Sequence, residues 1–262
     1  MNIKEKKMYE ILLRLKEVYG IAGVKAEFEA EGTRIDELLR LLEITRKANL
    51  KLGIKIGGCE ALKDLMEAKQ IGCDYIIAPM VESDYACLKF AESINKIFTT
   101  EEKKDTSFLV NIETINTLKT FDKILKIIKK NKNINGLVFG RSDFCLSKGL
   151  SKNDINKEEI LKDVSFVAEK CRENNLDLVV GGGVSKDSIN FLSHLSQIKL
   201  NRFETRKIIF NKESIKVKNV EKAFILALKF EILWLENKRS YYQGIVEEDM
   251  SRIQDLKKRW KF

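Results

Sequence analysis

Two carboxylates in this sequence follow short apolar segments that are rich in β-forming residues. Glu113 ends the run that begins at Phe108, and Asp143 comes just after the run Gly136–Gly140. The carboxyl ends of parallel strands lie at one edge of a sheet, so acids at successive strand ends are expected to meet. Carboxylates of this kind are typical ligands of a hard divalent cation such as Mg²⁺ or Mn²⁺. The spacing therefore predicts one metal site shared by Glu113 and Asp143, unless Glu113 caps the next helix and Asp143 closes a turn.

An early acidic segment offers a candidate general base. Glu27, Glu29 and Glu31 alternate along a short run, which is typical of residues on one face of a strand. Clustered like charges would raise the pKa of one member toward the range that is useful for proton transfer. The alternative is a solvated edge whose acids pair with Lys25 and Arg34. We take Glu29 as the member nearest to the site.

Two further segments place polar atoms where a ligand could bind. Residues 181–185 are rich in glycine, so the backbone N–H of Gly182 could reach an anion, although the same glycines also suit a tight turn. The run 202–210 carries Glu204, Arg206 and Lys207 in a β-like segment, which is unfavourable unless they face a polar opening. We therefore expect Gly182 and Arg206 to contact the substrate.

The elements that position these residues alternate between helix and strand. Apolar spacing predicts helices over 3–19 and 34–48, and others that begin near 60, 84, 118, 156 and 186. Strands are predicted over 24–30, 52–56, 75–80, 108–113, 136–140, 176–180 and within 200–210. This alternation predicts an α/β fold, a closed (β/α)8 barrel of the TIM type, with an open doubly wound sheet as the alternative.

The alternation stops beyond residue 217. Two helical patterns, about 219–238 and 244–260, carry an apolar stripe that includes Leu226, Leu228 and Leu233. We therefore predict a barrel domain over 1–217 and a C-terminal helical extension over 218–262. The stripe indicates either contact between subunits of a homo-oligomer or helices that close the barrel floor.

Charge and cysteine content restrict the class of protein. The 48 basic and 39 acidic side chains give a net charge of +9, but the lysines are spread over nearly every predicted helix. Without an aromatic and basic reader motif, this pattern favours a solvated basic surface over a nucleic-acid site, and it suits a small anionic substrate. Five cysteines without CxxC spacing fit a reducing compartment. With no apolar run of membrane length, we predict a soluble, cytoplasmic protein without a membrane partner.

Four segments in this order resemble the HpcH/HpaI aldolase and citrate lyase β-subunit family. They are Ile54–Gly57, Ile71–Ser83, Asn111–Thr114 and Ile134–Asp143. The resemblance implies a metal-dependent (β/α)8 barrel that makes or cleaves carbon–carbon bonds next to a pyruvate-like or acyl-CoA enolate. It also implies that Glu113 and Asp143 bind Mg²⁺ or Mn²⁺. The positions that match the family's substrate-side residues are Asn111, Gly140, Arg141 and Ser142.

Three features depart from the family pattern. The arginine that stabilises the oxyanion is matched by Lys55, or by Ile56 if no gap is allowed, and a lysine supplies a point charge without the planar fork. Lys55 is therefore either catalytic or an ordinary strand-end lysine, with Arg141 or Arg206 as substitutes. The only histidine, His194, lies in a late helix and matches nothing. A helix also occupies the place of the family's first strand, which predicts a barrel remodelled at its first and last strands.

The function implied by the resemblance is a divalent-metal-dependent aldolase or lyase that acts on a 2-oxo acid through an enolate. Lys55, Glu29 and Arg141 are its predicted catalytic residues. Two alternatives stay open. One is an acyl-CoA lyase of the citrate lyase β-subunit type, which the acidic segment favours. The other is a barrel that binds a ligand without catalysis, which the missing histidine favours.

Overall fold

A closed barrel of eight strands forms the body of the protein in the computed structural model, which describes residues 1–260. The strands are β1 Ile21–Glu27, β2 Lys51–Lys55, β3 Tyr75–Ala78, β4 Ser107–Ile112, β5 Gly136–Gly140, β6 Asp177–Gly181, β7 Arg202–Glu204 and β8 Ile208–Asn211. Each strand pairs with the next in chain order, and β8 pairs with β1 to close the sheet. The closed barrel is confirmed, and the open sheet is wrong.

Helices follow most strands and pack around the barrel. The helices are α1 Ile3–Tyr19, α2 Ile35–Lys47, α3 Leu62–Ile71, α4 Asp84–Ile97, α5 Glu102–Asp105, α6 Ile115–Lys119, α7 Phe121–Asn131, α8 Arg141–Ser147, α9 Glu158–Glu173, α10 Ile189–Ile198 and α11 Glu221–Trp260. Short 3-10 helices span Lys152–Asp154, Lys186–Ser188 and Lys212–Lys216. No helix within residues 1–260 combines the length and apolar character needed to cross a membrane.

The last strand runs against its neighbours. β1 to β7 pair in parallel, whereas β8 is antiparallel to both β7 and β1. The predicted single strand within 200–210 is therefore a hairpin of two strands, and Thr205 closes its turn by donating its N–H to the Ile208 carbonyl at 3.0 Å. This turn lies at the carboxyl-end opening of the barrel because β7 runs toward that end. The last strand is thus remodelled as predicted.

The C-terminal extension is one helix instead of the two predicted. α11 runs for 40 residues without a break, even at Gly244, and it packs along α1. Its buried residues are Ala223, Ala227, Phe230 and Trp234. The division at residue 217 stays a prediction, because the first half of α11 packs on the same core as the barrel.

Candidate active site

The interior of the barrel becomes polar toward its carboxyl-end opening. Four apolar side chains on neighbouring strands form a small cluster of their own: Ile77, Leu109, Val138 and Val179. Residues on one face of a strand recur every second position, so Asn111, Gly140 and Gly181 come next toward the opening. A Cβ on Gly140 would lie 3.0 Å from Glu113 Oε2, and one on Gly181 would lie 3.2 Å from Glu204 Cγ. The two glycines therefore make room for two carboxylates.

A cavity of about 770 Å³ opens at this end of the barrel. It is lined by nine of the ten residues that the sequence nominated: Glu29, Lys55, Asn111, Glu113, Gly140, Ser142, Asp143, Gly182 and Arg206. Arg141 does not line it. His194 is exposed on α10, outside the cavity. The nominated residues thus meet in one place, although their roles stay predictions.

Glu113 is the most enclosed acid of the cavity, with 1% of its surface exposed. Its Oε1 accepts the Met80 N–H at 2.9 Å, and its Oε2 accepts the Asn111 amide at 2.7 Å. Thr114, and not Glu113, caps α6, because its side chain accepts the Thr117 N–H. The capping interpretation of Glu113 is therefore wrong. Met80 reaches Glu113 with a φ of 47°, a left-handed conformation that is uncommon outside glycine.

Lys55 joins Glu113 to the predicted base. Its Nζ lies 3.3 Å from Glu113 Oε2 and 3.0 Å from Glu29 Oε2. Burial alone would lower the pKa of Lys55, but Glu113, Glu29 and Glu27 outweigh it and raise the pKa. The side chain is therefore a buried ammonium at neutral pH. The interpretation of Lys55 as an ordinary solvent-facing lysine is wrong, since only 8% of the residue is exposed.

Asp143 and Arg141 are two residues apart in the first turn of α8, and their surroundings differ. Asp143 is exposed in the first turn, and among residues 1–260 its carboxylate has no hydrogen-bond or ion-pair partner. The guanidinium of Arg141 is fully buried and donates to the Gly181 carbonyl at 3.0 Å and to Asn156 Oδ1 at 2.7 Å. Burial lowers the pKa of Arg141 to about 10. Arg141 is therefore a cation that fastens β6 to α8, and its predicted direct catalytic contact is not supported by this placement.

A ladder of ion pairs connects β1 to the β7–β8 turn. Lys25 Nζ lies 2.5 Å from Glu204 Oε1 and 3.3 Å from Glu27 Oε1. Arg206 Nε lies 3.2 Å from Glu31 Oε1, and its Nη2 lies 3.8 Å from Glu27 Oε2. β1 ends at Glu27, so Glu31 follows the strand and does not belong to its face. The wall of the cavity is thus built from alternating charges on two elements that are distant in sequence.

The acidic segment does not behave as a cluster of like charges. Burial raises the pKa of Glu27, but Lys25, Lys55 and Arg206 outweigh it and lower the pKa overall. Cations interleaved with the acids therefore rule out Glu27 as the member whose pKa is raised, and the role of Glu29 as the base stays a prediction. Of the solvated-edge alternative, the pairing with Lys25 is confirmed, but the edge is not solvated at Glu27, which is 7% exposed, and Arg34 stacks on the ring of Tyr242.

The chemistry of the cavity fits a divalent cation. Seven of its charged side chains are acidic and four are basic: Glu27, Glu29, Glu113, Asp143, Glu204, Glu221 and Glu231 against Lys25, Lys55, Lys186 and Arg206. In addition, Asn111 Oδ1 is buried without a hydrogen-bond partner. No group of three or more His, Cys, Asp or Glu side chains within residues 1–260 is arranged to hold a metal ion. An ion here would therefore combine two carboxylates with amide, water or substrate oxygens, as Mg²⁺ commonly does.

Two residues of the site were missed by sequence reasoning. The sequence does indicate a role for Lys25, because a lysine inside an apolar strand is unfavourable unless an acid pairs with it. From the sequence, Lys25 is considered only as a partner of exposed acids. Met80 contributes its backbone N–H to Glu113. Side-chain type carries no information about such a contact, so the sequence offers no signal for Met80.

Gly182 holds the β6–α8 contact, and its substitution is expected to be destabilising. Its φ is +77°, and a Cβ there would lie 2.5 Å from Ser142 N and 2.7 Å from Arg141 N. Gly149 has the same φ of +77° with nothing within 4 Å of a Cβ, so it is a matched control. We expect Gly149→Ala to lower the free energy of unfolding by about 1 kcal/mol and Gly182→Ala by about 3 kcal/mol. Equal losses in urea unfolding would contradict the steric account.

Comparisons with known proteins agree with this architecture. The sequence model of the HpcH/HpaI aldolase/citrate lyase family matches residues 25–209. No curated protein matches the chain. A family protein from Burkholderia cenocepacia J2315, described as HpcH/Hpal aldolase/citrate lyase, has a TM-score of 0.63 at 10% identity, over 95% of this chain and 92% of its own.

Two other solved structures are similar in fold. An HpcH/HpaI aldolase from Desulfitobacterium hafniense DCB-2 has a TM-score of 0.59 at 11% identity, and the match covers 75% of this chain and 82% of that one. The citrate synthase SbnG has a TM-score of 0.59 at 12% identity, over 78% of this chain and 82% of its own. At these identities the likeness shows the fold alone.

Proposed function

The chain belongs to the HpcH/HpaI aldolase/citrate lyase family, and from that premise we propose that it is a divalent-metal-dependent carbon–carbon lyase or aldolase. The family consists of aldolases and lyases and is generally dependent on a divalent metal. The proposed substrate is a 2-oxo acid of the pyruvate type, which reacts through its enolate. The observation that carries the proposal is the buried Lys55 ammonium between Glu29 and Glu113, in a cavity that also contains Asp143.

Glu113 and Asp143 are the proposed holders of Mg²⁺ or Mn²⁺. The excess of acids in the cavity and the unpartnered Asn111 Oδ1 support this assignment. When bound, the ion would supply Lewis-acid polarisation of the substrate's keto group and a template for its carboxylate. Asn111 holds one oxygen of Glu113 through its amide and so fixes how that carboxylate faces the cavity.

Glu29 is the proposed base, and Lys55 is its proposed cationic partner. In this proposal a Glu29 oxygen takes a proton from the carbon next to the keto group and later returns it to the product. The Lys55 ammonium stays protonated beside the negative charge that develops on the substrate oxygen, because its pKa is raised. A fixed charge in a buried site stabilises such an oxyanion more strongly than a solvated one.

The substrate carboxylate is proposed to bind at the junction of β5, α8 and the Gly182 loop. Gly140, Ser142 and Gly182 line this part of the cavity, and their small size leaves the backbone accessible. Arg206 is the side-chain cation proposed to contact this carboxylate, because it lines the same cavity and 50% of its side chain is open to solvent. Arg141 is proposed as a positioning residue, because its hydrogen bond to the Gly181 carbonyl holds β6 against α8.

Removal of the metal is expected to abolish enolate formation. Proton NMR of pyruvate in D₂O should show loss of the methyl signal when the purified protein is supplied with Mg²⁺. Excess chelator should stop this exchange, and added Mg²⁺ should restore it, because the ion would polarise the keto group of the substrate. Buffer with Mg²⁺ but without protein is the control for spontaneous exchange.

Two outcomes would count against the proposal. Exchange that continues in chelator would contradict the metal assignment while keeping the enolate. No exchange under either condition would contradict a pyruvate-type substrate and would direct the search to acyl-CoA substrates or to a barrel that binds a ligand without catalysis.

A further inference from the structure

The outer face of α11 carries an apolar seam that the barrel does not cover. Every seventh residue from Ile225 forms one row: Ile225, Ile232, Arg239, Val246, Ile253 and Trp260. A second row begins three residues later: Leu228, Leu235, Tyr242, Asp249 and Leu256. These rows are the a and d positions of a heptad repeat, which is typical of helices that pair in a coiled coil.

This seam is separate from the face that packs on the protein's own core. Of the buried residues of α11, Phe230 lies on the opposite side of the helix from Leu228 and Leu235, and Ala227 lies about a quarter turn away from them. The aliphatic residues of the seam and Trp260 are each between 44% and 70% exposed. Only Tyr242 is half-buried, because its hydroxyl contacts Glu37 of α2. A helix that is apolar on two sides is expected to be covered on both.

We infer that a second copy of this chain covers the seam, with the two α11 helices antiparallel about a two-fold axis at the level of Gly244. The seam contains only two charged residues, Arg239 and Asp249. Among residues 1–260 neither of them has an ion-pair partner, and each is exposed. They lie at equal distances on either side of Gly244, so in this register each contacts the opposite charge on the partner.

The same register matches the other seam residues from Leu228 to Trp260 with apolar or aromatic ones. In antiparallel coiled coils an a residue faces a d residue of the other helix. About the same axis, Tyr242 faces the partner's Val246, Leu235 faces the partner's Ile253, and Ile232 faces the partner's Leu256. Sliding the helices by one heptad would put each charge against an apolar or aromatic residue, and a parallel pair in register would join like charges. The charges therefore select one arrangement.

This pairing also completes the cavity. Ile225 and Leu228 line the cavity and begin the seam, and they are 54% and 57% exposed. In the proposed register the partner's Trp260 packs on Leu228, so the second copy covers the apolar side of the cavity. The inference depends on the helix pattern and does not rest on the proposed reaction.

Charge reversal in the full-length protein tests the register. Analytical ultracentrifugation of a dilution series should show a dimer, and Arg239→Asp or Asp249→Arg should each raise its dissociation constant by about 100-fold, because each creates two like-charge contacts. The double variant Arg239→Asp/Asp249→Arg should regain near-native affinity. Lys258→Glu, on the outer side of the helix, is the matched control and should leave the dimer unchanged.

Three results would overturn the inference. They are a wild type that stays monomeric at all concentrations, single variants that associate as tightly as the wild type, and a double variant as weak as the single ones. Fluorescence gives an independent measurement, since Trp260 is 70% exposed in one copy and Trp234 is buried. The emission of Trp260 should shift to the blue as the dimer forms, and this shift should be absent in the Trp260→Phe variant.

Discussion

An Asp143→Ala variant should fold like the wild type and lose metal-dependent exchange of pyruvate by about 10³-fold or more. Asp143 is exposed and has no hydrogen-bond or ion-pair partner among residues 1–260, so its removal breaks no contact that stabilises the fold. A surface change of this kind usually alters the free energy of unfolding by less than about 0.5 kcal/mol. The loss of activity should therefore not come from unfolding.

Asp122 provides a matched control for this variant. It is also an exposed acid in the first turn of a helix, α7, and it does not line the cavity. Asp122→Ala should keep full exchange and full Mn²⁺ affinity in calorimetry, whereas Asp143→Ala should bind Mn²⁺ weakly. Retained exchange in metal-defined Asp143→Ala protein would contradict the assignment of Asp143 as a metal ligand, whatever the other residues do.

The barrel could be predicted because each strand and helix is marked locally. Gly136–Gly140 was predicted with its observed bounds, since it is a short apolar run ended by a polar segment. The reversed strand β8 could not be predicted. Strand direction follows from the Thr205–Lys207 turn, and residues 202–210 read as one β-like run because charged residues occupy the turn.

The sequence predicts which residues line the cavity more fully than it predicts which of them contact each other. Strand ends brought Glu113, Lys55 and Asp143 to one cavity, as parallel topology requires. The pairing of Lys25 with Glu204 depends on how β1 meets the hairpin, so spacing along the chain could not show it. Arg141 matched a family position, but its side chain is buried beneath the loop, and burial of this kind is decided by tertiary packing.

α11 shows the opposite case, in which one apolar pattern in the sequence belongs to two different faces of the helix. The stripe of Leu226, Leu228 and Leu233 mixes residues from both faces of the helix, and only the buried positions separate them. Once Phe230 and its neighbours are assigned to the core, most of the exposed apolar residues fall into a heptad repeat. A structure was therefore needed to sort one apolar pattern into two.

A Lys55→Met variant should lose both stability and activity. Lys55 and Glu113 are a buried pair, and removal of one partner leaves the other charge without compensation, which typically lowers the free energy of unfolding by about 3–5 kcal/mol. Met80 and Asn111 still donate to Glu113, so the loss should fall at the lower end of that range. The exchange rate should fall by about 10³-fold, because the oxyanion loses its nearest cation.

Three comparisons separate the charge of Lys55 from its bulk. Lys51→Met changes an exposed lysine at the other end of β2 and should leave both stability and exchange nearly unchanged. Lys55→Arg keeps the positive charge, so it should recover most of the stability and part of the rate. A Lys55→Met protein with native urea unfolding would contradict the buried pair. A Lys55→Arg protein that is stable but as slow as Lys55→Met would mean that the amine itself, and not its charge, is what catalysis requires.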